Sequence, residues 1–65
     1  MTLTKKQVRI VKLICEQKAN KEIADELGIA KRTVESHRSK IMFEINAKNV
    51  VGIALYAVKH GIYKN

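Results

Sequence analysis

The apolar positions of the chain fall into four groups at helical spacing, separated by residues with turn or cap chemistry. In the first group, Ile10, Val11 and Ile14 form a stripe, with Lys5, Lys6, Arg9 and Lys12 mostly on other faces. Leu3-Thr4-Lys5-Lys6-Gln7-Val8 reads as the start of that helix. The Thr4 hydroxyl can accept from the Gln7 amide while the Gln7 side chain returns to Thr4, and Leu3 and Val8 close a hydrophobic staple. This helix is expected to end near Lys18. Asn20 is a good N-cap for a second helix, Lys21 to Leu27, with Ile23, Ala24 and Leu27 on one face. Gly28 stops it, because a left-handed residue is commonly needed past a helix end and glycine adopts that conformation without a Cβ penalty.

A third helix is expected from Lys31 to Ile45, with Val34, Ile41 and Ile45 inward and a long polar face carrying Arg32, Glu35, Ser36, Ser39 and Lys40. Asn46-Ala47-Lys48-Asn49 has turn chemistry, with Asn49 as the cap of a fourth helix, Val50 to His60, and Gly61 as its stop. Val50, Val51, Ile53, Ala54, Leu55, Ala57 and Val58 point around most of that helix. This is more apolar surface than a helix laid on a three-helix body buries on one side, so a further cover is expected.

The pattern therefore predicts an all-α fold of four helices in one domain spanning residues 1–65. A chain of this length buries only about 60% of the surface its unfolded form exposes. With 46% hydrophobic residues, 29% charged residues and no proline, it should nonetheless fold as a compact helical protein. The net charge of +7 favours a polyanionic partner through counterion release. A membrane surface is also polyanionic, but there is no run of 18 apolar residues, no signal peptide and no helix with an all-basic polar face. The expectation is a soluble, cytoplasmic chain with no membrane partner, and nucleic acid leads.

Other chemistry finds little support. Cys15 is the only cysteine, which rules out an internal disulfide and a cysteine-based zinc site; it reads as a small buried hydrophobe. His37 and His60 lack ligand spacing, so no metal and no cofactor are expected. Ser36, His37 and Ser39 are neighbours on one exposed helix and point in different directions, so they form no nucleophile and base pair, and no catalytic residue is assigned. Phe43, Tyr56 and Tyr63 are the only aromatics. They provide no stacking platform for single strands, which favours duplex DNA over RNA, and Phe43 and Tyr56 are expected in the core or at an interface.

Residues 20–40 carry the strongest signal. Counting from Asn20 as position one, Ala24 is fifth, Gly28 ninth and Val34 fifteenth, with Ile23, Leu27 and Ile29 at the fourth, eighth and tenth. A small residue at Ala24 lets two helices approach, glycine makes the turn, and the flanking aliphatics lock the second helix across the first, as in a helix-turn-helix. Charge is sorted as well: residues 20–30 sum to −2 and residues 31–40 to +3. The acidic Glu22, Asp25 and Glu26 should face solvent or pair locally, while the following basic helix is the reader.

Three blocks resemble the LuxR-type (NarL/FixJ) C-terminal DNA-binding domain: Leu3-Thr4; Asn20-Lys21-Glu22-Ile23-Ala24 with Leu27 and Ile29; and Thr33-Val34-Glu35-Ser36-His37 leading to Ile41-Met42. The tail Tyr56 to Ile62 is similar too. The resemblance implies a three-helix core plus a C-terminal dimerisation helix, with the third helix in the major groove. It also implies a place behind a regulatory domain, as in the response regulators of two-component systems. It puts Glu35, Ser36 and Ser39 where base edges are read. Lys21, Lys31, Arg32, Thr33, His37, Arg38 and Lys40 lie where phosphate contacts fall, and Asn20 is counted with them. Homodimerisation through Val50, Ile53, Ala54, Leu55 and Ala57, or on DNA, is expected.

The chemistry of these positions agrees. Glu35 can accept from a cytosine amino group, the serines discriminate weakly, and Thr33 can offer its hydroxyl and backbone amide to a phosphate at the positive end of the helix dipole. Four departures stand out. Gln7 replaces an acidic residue, Gln17 stands where glycine often ends the first helix, and Ala30 replaces a capping serine worth about 1 kcal/mol. Val50-Val51-Gly52-Ile53 replaces a more polar stretch, and Gly52 is expected to cost its helix about 1 kcal/mol relative to alanine. A competing reading makes the chain a protein-interaction module, with the apolar fourth helix docked on a partner.

Overall fold

In the computed structural model the Thr4 hydroxyl accepts from the Gln7 amide at 3.1 Å and Gln7 Oε1 accepts from the Thr4 amide at 3.0 Å. This reciprocal cap starts α1, Lys5–Cys15, as its sequence dictates. The structure describes residues 3–64; Met1, Thr2 and Asn65, the ends of the expected domain, lie outside the described residues. Three further helices follow: α2, Asn20–Leu27; α3, Lys31–Glu44; and α4, Val50–Lys59. No strand occurs among the described residues.

All four helices close in the same way, on a left-handed residue followed by an amide that reaches back five residues. Gly28 and Gly61 provide that residue after α2 and α4, at φ 67° and 71°, with Ile29 N–H donating to Ala24 O and Ile62 N–H to Ala57 O. After α3 it is Asn46, at φ 57°, and Ala47 N–H donates to Met42 O at 2.8 Å. After α1 it is Gln17, at φ 65°, and Lys18 N–H donates to Leu13 O at 3.1 Å. The first helix thus ends at Cys15, short of the expected Lys18, because this closure takes residues 16–18 out of the helical path. Gln17 does the work of the glycine it replaces and bears a steric cost for it.

The second helix also starts differently from its sequence reading. Ala19, not Asn20, sits at the cap with φ −74° and ψ 159° and offers no side-chain acceptor. Glu22 compensates by accepting from the Ala19 amide at 2.8 Å, a local pairing of the kind expected for this acidic cluster. Asn20 is released from capping because its side chain is engaged elsewhere. At α4, Asn49 does cap, its Oδ1 accepting from Gly52 N–H at 3.2 Å.

Ile10, Val11, Ile23, Val34, Ile41 and Ile53 are the largest fully buried side chains, and each contributes about 1.5–3 kcal/mol of burial. They come from all four helices, so α4 adds Ile53 and Ala57 to a common core. The first helix packs against each of the other three; α2 and α4 do not meet. Because α3 also meets α4, α1 and α3 together stand between α2 and α4. The described chain measures 28 × 24 × 20 Å.

Candidate nucleic-acid interface

The turn between α2 and α3 is built as its sequence requires. Ala24 is buried, Gly28 turns the chain, and Ile29 is half-buried against the core. Val34 and Ile41 anchor α3 inward at 0% exposure, which orients the opposite edge outward. Glu35, Ser36 and Ser39, the expected base readers, all lie exposed on that edge, together with Lys31, Arg32, Thr33 and Lys40. Lys21 is exposed at the start of α2.

The other three expected phosphate residues differ from these. Arg38 and His37 sit on the side of α3 turned toward the body and are half-buried, and Asn20 is half-buried at the first turn of α2. Arg38 Nη1 donates to Asn20 Oδ1 at 2.8 Å, joining the two helices across the motif. His37 packs partly inward, its Nδ1 buried without a hydrogen-bond partner. Thr33 needs a correction. Its amide donates to Ala30 O at 2.9 Å, so only its hydroxyl remains for a ligand. Alanine at position 30 has no oxygen on its side chain, and the amide turns to the main-chain carbonyl instead.

Beside this edge, an open groove of about 550 Å³ separates the start of α1 from the second half of α3. It is lined by Thr4, Gln7, Ser39, Lys40, Phe43 and Glu44. Phe43 does not join the core; it is 85% exposed, on the α3 stripe that also holds Glu35 and Ser39 at four-residue spacing. Tyr56 is half-buried and its ring lies 4.1 Å from that of His60. Cys15 is half-buried; burial, and then the charge of Glu16, push its thiol above the ordinary range, which makes it a poor nucleophile.

The residues expected to form a dimer contact divide in two. Ile53 and Ala57 are at 0% exposure and fill the core, because a four-residue step places both on the face of α4 turned toward the body. They offer nothing to a partner. Val50 and Leu55 are exposed and Ala54 is half-buried. Val51 and Val58, which the sequence reading counted in the apolar circumference of this helix but not in the dimer contact, are 64% and 61% exposed and line up with Leu55 as i, i+4 and i+7. That spacing was available in the sequence; the core stripe at 53 and 57 identifies the outward one by elimination. Among the described residues no helix is long and apolar enough to cross a membrane, and no cluster of residues could hold a metal ion.

Comparison with known proteins gives these features a context. The C4-dicarboxylate transport transcriptional regulatory protein DctR of Rhodobacter capsulatus is 42% identical over 48 residues, covering 74% of this chain and 24% of that protein. The transcriptional regulatory protein MctR of Rhizobium johnstonii is 38% identical over 60 residues, 92% of this chain and 28% of its own length. The oxygen regulatory protein NreC of Staphylococcus carnosus is 39% identical over 57 residues, 88% of this chain and 26% of its length. The chain thus spans about a quarter of each of these relatives. A family model described as bacterial regulatory proteins, luxR family, matches residues 1–57, the stretch that includes the whole α2–turn–α3 unit, and the chain belongs to that family.

Proposed function

We propose that the chain binds double-stranded DNA in a sequence-specific manner as the output domain of a bacterial transcriptional regulator, with α3 in the major groove. The observation that carries this reading is the sorting of α3. Val34 and Ile41 bury one side, and the opposite edge presents Arg32, Glu35, Ser36, Ser39 and Lys40 with no covering element among the described residues. An α-helix fits a major groove about 12 Å wide, and this edge holds the donors and acceptors that base edges recognise.

In this reading Glu35, Ser36 and Ser39 meet bases. Glu35 accepts from cytosine and the serines add weak discrimination. Lys21, Lys31, Arg32, Lys40 and the Thr33 hydroxyl flank the groove and meet phosphates, fixing register rather than sequence. His37 and Arg38, turned toward the body, reach the backbone at the seam between α2 and α3. The role is binding, without catalysis and without a cofactor.

The relatives support a reading of the rest of the regulator. Their greater length supports a regulatory domain preceding this one, as in a response regulator of the cytoplasm. The exposed Val51, Leu55 and Val58 stripe of α4, with Val50 and Ala54 beside it, supports a homodimer placing two copies of α3 on half-sites about 34–36 Å apart.

A backbone amide shift titration with a mixed-sequence DNA duplex at low and moderate salt tests the reading. Shifts concentrated in residues 20–40 and weakened by salt are expected. Shifts confined to residues 50–63, or none, would overturn it in favour of an interaction module.

A further inference from the structure

Of the four Lys and Arg side chains on α3, three (Lys31, Arg32 and Lys40) are exposed and only Arg38 is half-buried. It follows the buried Val34 by four residues and precedes the buried Ile41 by three, so its Cα lies on the side of α3 turned toward the body. From there its side chain runs to the first turn of α2, where Nη1 donates to Asn20 Oδ1 at 2.8 Å. Asn20 is free to accept because Ala19 and Glu22 manage the start of that helix without it.

From this geometry we infer that Asn20 is a positioning residue for Arg38. Rather than binding phosphate itself, Asn20 holds the guanidinium at the α2–α3 seam, aimed at a backbone phosphate on the edge of the major groove. This rests on the DNA-binding reading above and assigns Asn20 a different role within it.

Three points of chemistry support the assignment. The one side-chain oxygen of Asn20 is engaged by Arg38, which ties the orientation of the whole amide, its two Nδ2 donors included, to the guanidinium. The guanidinium has five N–H donors in a fixed fork, so one bond to Asn20 orients the plane and leaves donors for a bidentate phosphate contact. A neutral amide also holds the arginine without cancelling its charge. A carboxylate at position 20 would hold it equally well and neutralise it.

The test measures the affinity of the 65-residue chain for a mixed-sequence DNA duplex as a function of salt, for wild type, Asn20→Ala, Asn20→Asp, Arg38→Ala and the Asn20→Ala/Arg38→Ala double variant. Every measurement is made below the melting midpoint of the variant concerned. Arg38→Ala is expected to flatten the slope of log affinity against log salt by about one unit. Asn20→Ala is expected to lower affinity roughly fivefold when Arg38 is present and less than twofold when it is absent, a coupling typical of residues that act as a unit. Asn20→Asp keeps the contact and the fold, yet is expected to flatten the slope by about one unit, like Arg38→Ala.

An equal cost of Asn20→Ala in both backgrounds would overturn the assignment and make Asn20 an independent contact. Wild-type affinity and slope in Asn20→Asp would also overturn it. In both cases the wild-type chain still shows salt-dependent duplex binding, so the DNA-binding reading stands. Absence of such binding in the wild type removes both.

Discussion

A Cβ added at Gly52 would lie 2.8 Å from the Cβ of Ala47 and 3.3 Å from its Cα. The first turn of α4 therefore presses against the turn that leaves α3, and a glycine is required there despite its poor helix propensity. Propensity alone makes Gly52→Ala a gain of about 1 kcal/mol. The contact reverses the sign, because Ala47 belongs to a closed turn held by the hydrogen bond its N–H donates to Met42 O and cannot retreat. Gly52→Ala is expected to destabilise the chain by about 1 kcal/mol, lowering the melting midpoint by about 4–8 °C. Gly52→Ala combined with Ala47→Gly should recover most of the loss. Thermal denaturation followed by circular dichroism checks both.

Gln17 holds a left-handed conformation at φ 65°, which costs an L-residue about 1–2 kcal/mol. Glycine has no such cost but loses more chain entropy on folding. The balance predicts that Gln17→Gly stabilises by about 0.5–1 kcal/mol, measured by urea denaturation. A loss of stability would show that the Gln17 side chain makes a compensating contact.

Ala30 has the backbone conformation of an N-cap, φ −73° and ψ 150°, without the oxygen of one. Ala30→Ser should supply an acceptor for the first-turn amides of α3 and raise stability by about 1 kcal/mol. Slower amide exchange at the start of α3, in particular at Thr33, is the accompanying signature.

Glu35 is exposed on the outer edge of α3. Glu35→Ala is expected to change the preferred base at one position of the binding site while leaving generic affinity equal or slightly higher, since a negative charge near phosphates is removed. Site selection from a randomised duplex pool measures this, and an unchanged consensus would exclude Glu35 as a reader.

Ile53 and Leu55 lie two residues apart on α4 and should respond differently to aspartate. At 0% exposure, Ile53→Asp buries a charge in the core and should unfold a domain of this size. Leu55→Asp, at a position 66% exposed, should leave the fold intact and lower self-association. Sedimentation at high concentration checks the second outcome. A strictly monomeric wild type would remove the α4 contact for the isolated chain.

Much of this organisation is local in origin and therefore readable along the chain. The Thr4–Gln7 box, the Asn49 cap and the Gly28 and Gly61 stops depend on residues within a few positions of one another, and each works as its chemistry requires. The outward edge of α3 follows from the 3.6-residue period once Val34 and Ile41 are taken as core. The family resemblance resides in the same short blocks.

What the sequence alone could not determine depends on contacts between segments remote in sequence. The Asn20 side chain could cap its own helix or accept from another, and only the packing of α2 on α3 delivers Arg38, 18 residues away, to claim it. The apolar circumference of α4 could not be divided into core and surface until α1 covered Ile53 and Ala57 and left Val51, Leu55 and Val58 open. Gly52 is a defect by helix propensity alone and a requirement once the fold sets Ala47 against it. Caps, stops and periodicity are set by neighbours along the chain, whereas the use of a side chain with several possible partners is decided by whichever partner the tertiary fold brings within reach.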